Sequence, residues 1–127
     1  MLSVTHKGDY SKTTSFLKRL RNANDRIVAI LSKYGDKGVA ALSAATPVKT
    51  GLTAKSWYYK IENKNGSAKI SFCNSNIQNG VPIAIILQYG HGTGNGGWVE
   101  GVDYINPALK PIFDELANNA RKEVTKL

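Results

Sequence analysis

One stretch of this 127-residue chain has residue types and spacing that could do chemistry: Gly92-Thr93-Gly94-Asn95-Gly96-Gly97, which fits the pattern G-x-G-x-x-G. In a dinucleotide site such glycines turn the chain tightly, and the helix that follows points its N-terminus at the pyrophosphate. Here Trp98-Val99-Glu100-Gly101 follows, which is not a helix start, and no strand–helix–strand unit surrounds the glycines. No cofactor is therefore expected. Two histidines, His6 and His91, and one cysteine, Cys73, lie at distant and irregular positions that make no zinc signature. Cys73, His91 and Asp103 form a conceivable nucleophile set if the fold gathers them. Cys73, however, falls inside a strand candidate, with no helix N-terminus or other activating group beside it. Glu100 and Asp103 are close in sequence but lack a supporting base or metal pattern. The expectation from chemistry is a protein with no catalytic, metal-binding or cofactor-binding residues.

The glycines have another meaning. Half of the chain's twelve fall within residues 88–101 (QYGHGTGNGGWVEG), which read as a loop by composition. Long glycine-rich loops in compact domains are usually functional or disordered. Trp98, beside this loop, suits either an interface anchor or a plug for the open end of a sheet.

Several elements must position that loop. Residues 9–21 read as a short helix with Ser11 as cap and Phe16, Leu17 and Leu20 as its apolar side, so residues 1–23 are taken as such a helix or as a flexible arm. A second helix is expected from Asn24 or Asp25 to about Ala45. Its Ile27, Ile30, Leu31, Tyr34, Gly38, Ala41, Leu42 and Ala45 follow 3.6-residue spacing. Gly35 and Gly38 weaken this helix by ~1 kcal/mol each relative to Ala, and close approach of another element would explain them. Thr46-Pro47 ends it. Residues 57–74 read as a hairpin around Asn65-Gly66, a favoured type I′ pair. That turn sets Glu62 against Lys69, Ile61 against Ile70 and Tyr59 against Phe72. It places Trp57, Tyr59, Ile61, Ile70 and Phe72 on a face for a helix, and Tyr58, Lys60, Glu62, Lys69 and Ser71 on a wetter one. Lys55, Tyr58, Tyr59 and Lys60 alternate base and aromatic, as a surface for stacking single-stranded bases does and as a plain hairpin surface also does.

Residues 74–82 read as a turn-rich connection. The run IAIILQY, residues 83–89, is apolar on both alternations and is expected as a strand buried on both sides, with a short helix as the alternative. Trp98-Val99 is read as a brief strand. Asn106-Pro107 then opens a helix marked by Leu109, Ile112, Phe113, Leu116, Ala120, Val124 and Leu127, with Pro111 awkward in its first turns. The expected fold is one α+β domain: a small, mostly antiparallel sheet of a hairpin plus one or two further strands, with a long helix before it and a C-terminal helix packed on one face.

The formal net charge is +8. Residues 1–80 hold thirteen Lys/Arg against four Asp/Glu, and residues 81–127 hold four against five. Such a basic half suits an acidic partner such as nucleic acid, and equally solubility. One cysteine precludes an intrachain disulfide and fits a reducing compartment. The first residues carry no apolar core of a signal peptide, and no run approaches a membrane span.

Three segments in order resemble the tail-completion, or head–tail joining, proteins of long-tailed phages. Thr46-Pro47-Val48-Lys49-Thr50-Gly51 with Ser56-Trp57 resembles their P-V-x-T-G…S-[WI] signature. Gln88-Tyr89-Gly90-His91-Gly92-Thr93 with Gly97-Trp98-Val99-Glu100-Gly101 resembles their E-Y-G-[HT] loop and a G-W-V-E-G segment. Tyr104-Ile105-Asn106-Pro107-Ala108-Leu109 resembles the entry to their last helix. The match covers roughly residues 25–127. Lys49 and Gln88 depart from it, standing where the family commonly has Asp and Glu. The resemblance implies a non-enzymatic structural virion protein, in the tail or neck of a phage, prophage or tail-like particle, assembled in the bacterial host cytoplasm. It implies a homo-oligomeric ring, a hexamer, touching the tail tube and neck or connector proteins, with DNA passing through its lumen and no membrane contact. The expected assembly interface is Tyr89, Gly90, His91, Trp98 and Glu100, on a loop that is mobile in the free protein and ordered in the ring. The alternative function is a basic nucleic-acid-binding module.

Overall fold

The computed structural model describes residues 11–47, 51–64 and 67–125. The class is α+β. A long helix, α1 (Ser11–Ala45), is followed by a single turn, α2 (Gly51–Lys55), and by the hairpin strands β1 (Trp57–Lys64) and β2 (Ser67–Asn74). Two short ribbons flank another helix: β3 (Ile77–Gln78) with β4 (Val81–Pro82), then α3 (Ile83–Tyr89), then β5 (Gly90–Gly92) with β6 (Trp98–Glu100). Helix α4 (Ile105–Thr125) closes the described chain.

The hairpin has the expected register: Glu62 opposes Lys69, Ile61 opposes Ile70 and Tyr59 opposes Phe72. Its turn pair Asn65-Gly66 lies outside the described residues. The inner face meets α1 and α4. Leu31 and Tyr34 of α1 and Leu116 of α4 form one buried cluster against Ile61, Ala68 and Ile70. The contact of α1 is close because of its two glycines. A Cβ on Gly35 would lie 2.6 Å from the Tyr59 ring, and one on Gly38 would strike the ring of Phe72. Phe72 in turn packs edge-on against Phe113 of α4, with centroids 6.0 Å apart.

A second cluster gathers Leu42, Trp57, Ala84, Tyr104 and Leu109. Trp57 is buried, as expected. Its indole N–H donates to the Thr46 hydroxyl at 2.8 Å, and that hydroxyl donates to the Leu42 carbonyl at 2.6 Å. The end of α1 is thereby tied to the start of the hairpin. Thr53 of α2 is fully enclosed and accepts from the Asn76 amide at 2.8 Å, joining α2 to the chain after β2.

Four expectations are corrected. The two helices read in residues 9–45 are one, continuous from Ser11 through Ala45 over 35 residues. Residues 11–23 are therefore helix rather than arm. Residues 1–10 and the side chains of Ser11, Phe16, Leu17 and Leu20 lie outside the description. Residues 83–89 form a helix, not a third strand. Ala84 and Gln88, one turn apart, are buried while Ile85 and Tyr89 are exposed, a 3.6-residue pattern that a strand would not produce. The strands beyond the hairpin accordingly form separate two-stranded ribbons. The turn-rich connection contains one of them: Asn79 (φ 51°) and Gly80 (φ 77°) make a left-handed pair between β3 and β4.

Candidate assembly interface

The glycine-rich segment is itself a small hairpin. Gly90 opposes Glu100, His91 opposes Val99 and Gly92 opposes Trp98. The loop reading is thus corrected for its two ends, while residues 93–97 form the tip. The Trp98-Val99 strand is present.

Glycine is required where this hairpin leaves α3. Gly90 has φ 85° and caps α3, its N–H reaching the Ile86 carbonyl. A Cβ there would also lie 2.6 Å from the Val99 carbonyl oxygen and 3.0 Å from the Trp98 ring. A Cβ on Gly101 would lie 2.5 Å from the Gly90 nitrogen. Two backbones therefore cross at the base of the hairpin with no room for side chains. The Val102 N–H donates to the Leu87 carbonyl at 2.9 Å and fixes the exit.

The five expected interface residues lie at the end of α3 and along the β5–β6 ribbon, but not on one face of it. Tyr89 ends α3 and is 68% exposed; Trp98 is 59% exposed, so it plugs no sheet, and its ring lies against Gly90. Trp98 and Glu100 share one face of the ribbon, over the bare backbone of Gly92 and Gly90. His91 sits on the opposite face with Val99. It is half-buried, and its Nδ1 is enclosed without a hydrogen-bond partner.

Residues not anticipated hold the hairpin in place. Gln88, standing where the resembled family commonly has Glu, is buried. Its side-chain oxygen accepts from the Tyr104 N–H at 3.0 Å and the Ile105 N–H at 2.9 Å, so it caps the first turn of α4 from a distant element. Its amide donates to Asp103 at 2.6 Å, and Asp103 accepts also from Asn106. A Glu at this position could not make the bond to Asp103. The Tyr104 hydroxyl donates to the Ala84 carbonyl at 2.6 Å, and burial raises its pKa. Helix α4 therefore begins at Ile105, one residue before the expected Asn106-Pro107 start.

Asp103 is thus engaged by Gln88 and Asn106, and Cys73 is a half-buried free thiol opposite Tyr58. Among the described residues no group of three His, Cys, Asp or Glu side chains is placed to hold a metal, and no helix is long and apolar enough to cross a membrane. Compared with known proteins, the chain matches no family model, no curated protein and no solved structure.

Proposed function

We propose that this chain is a non-enzymatic structural component of a phage tail or tail-like particle, which joins or completes the tail at the head–tail junction as a homo-oligomeric ring. One observation carries the reading. Of the eleven exposed large hydrophobic residues described, eight (Leu52, Ile77, Val81, Ile85, Tyr89, Trp98, Val99 and Val102) belong to α2 and to the stretch from β3 to just beyond β6. Exposed apolar surface concentrated in one region marks an interaction site, and Trp and Tyr are the side chains most often decisive in one. The resemblance of the three ordered segments to tail-completion proteins supplies the particular role. A hairpin held at a crossing of two glycines is a protruding arm that can reach a neighbouring subunit. An arm meeting a different surface on the next copy makes a head-to-tail contact, and such contacts give a ring when the rotation between copies closes.

Electron microscopy of the purified protein, alone and mixed with tail tubes, tests the proposal. Rings that cap tube ends are expected. Protein that stays dispersed and leaves tube ends bare would overturn it.

A further inference from the structure

We infer that the end of the molecule opposite the glycine hairpin binds duplex DNA through its phosphates. Helix α1 is paired antiparallel with α4: Lys37 lies beside Glu115, Tyr34 bonds Asn119, and Arg26 bonds Glu123 at 2.5 Å. Helix α4 is described to Thr125 only two residues later. The hairpin tip reaches the same level, where the Asn24 amide donates to Asn63 at 3.4 Å. Among the described residues, 11–22 of α1 therefore extend past both neighbours. At ~1.5 Å per residue they form an arm of roughly 18 Å.

This arm and its surroundings are strongly basic. Residues 15–24 contain Lys18, Arg19 and Arg21 and no Asp or Glu. Lys18 and Arg21 are exposed and three residues apart, so they share a helix face. Lys64 and Lys69 stand exposed at the hairpin tip, and Arg121 and Lys122 at the end of α4. The acids nearby are Asp25, Glu62 and Glu123, and Glu123 already pairs with Arg26. At the opposite end the described charges are Lys55 and Lys110 against Glu100, Asp103 and Asp114, so the molecule is polarised along α1.

Positive charge spread over a projecting helix and an adjoining ribbon tip complements a phosphate backbone. The major groove, ~12 Å wide, admits a single helix of this kind. The inference does not depend on ring formation, since a free subunit carries the whole surface.

Fluorescence anisotropy of a short labelled DNA duplex, titrated at several salt concentrations, tests it. Wild-type protein is expected to bind at low salt, with log Kd linear in log salt. The variant Lys18→Gln/Arg21→Gln/Lys64→Gln is expected to bind about tenfold or more weakly and to lose roughly 2–3 from the salt slope. Lys55→Gln/Lys110→Gln should change neither quantity. Thermal melts identify any variant that fails to fold, in which case Lys18→Gln and Lys64→Gln alone carry the test. Absence of binding at low salt, equal losses from the two multiple variants, or polyglutamate competing as well as unlabelled duplex would each overturn the inference.

Discussion

Tyr104 and Gln88 show how single side chains join α3 to the start of α4 at the base of the β5–β6 ribbon. The Tyr104 hydroxyl bonds α3 through the Ala84 carbonyl, and its backbone N–H bonds Gln88. Removing Gln88 leaves two N–H groups of the α4 entry unsatisfied, so Gln88→Ala should lower unfolding stability by about 1–3 kcal/mol in chemical denaturation. Tyr104 also sets a pH dependence. Burial holds its phenol neutral, with a folded pKa above the value of about 10 in the unfolded chain. A group whose pKa is raised by folding contributes stability that is complete below the unfolded pKa and is lost as pH climbs toward the folded one. Wild-type protein should therefore lose stability more steeply above about pH 10 than Tyr104→Phe does, and parallel melting curves for the two would refute this. The sequence marked Tyr104 and the Asn106-Pro107 helix entry, but not the cap itself. Gln88 reaches its partners from 16 and 17 residues away, and a tertiary cap leaves no local signature. The exposure of Tyr89 and Trp98 beside a glycine-rich turn follows from local features, glycine density and aromatic placement, that the sequence displays directly.

At the scale of elements, the contact between α1 and the hairpin depends on small residues. Gly35→Ala should raise helix propensity by ~1 kcal/mol, but it drives a methyl group into the ring of Tyr59, whose hydroxyl is held by a 3.2 Å hydrogen bond with the Ser32 hydroxyl. Overpacking costs typically ~1–3 kcal/mol, so the net effect expected in urea titration is a destabilisation. The hairpin register could be read because a turn pair and three cross-strand pairs agree. The same dipeptide at Asn79-Gly80 turns the β3–β4 ribbon, where only a turn-rich connection was expected, because its flanking strands are two residues each and too short for any alternation to show. Residues 83–89 were misread for a related reason. Seven mostly apolar residues carry no decisive period, and the choice of helix rests on burial of Ala84 and Gln88 against the second core cluster. For the β5–β6 ribbon, the amides of Gly90 and Val102, bonded at its base, should exchange more slowly in the free protein than those of residues 94–96 at its tip. Assembly should then protect the tip. Hydrogen exchange that is already slow throughout residues 90–101 in the free protein would count against an arm that orders on assembly.

At the scale of the whole molecule, two unlike ends are held apart by one 35-residue helix, roughly 52 Å long at ~1.5 Å per residue. One end carries most of the exposed apolar side chains, the other the projecting basic arm. The charge imbalance between residues 1–80 and 81–127 was visible in the sequence, but its separation in space was not. It depends on α1 being continuous from Ser11 to Ala45 and on its antiparallel pairing with α4, which sets Arg26 beside Glu123. The functional account gives the apolar end the work of contacting neighbouring subunits. The measurement that tests this most directly is native mass spectrometry of wild-type protein beside Trp98→Ala and Tyr89→Ala variants that retain the wild-type melting temperature. The account predicts one closed oligomer, a hexamer, for wild type and monomers for the variants. Wild-type protein that remains monomeric as its concentration rises, or an oligomer that both substitutions leave intact, would contradict it.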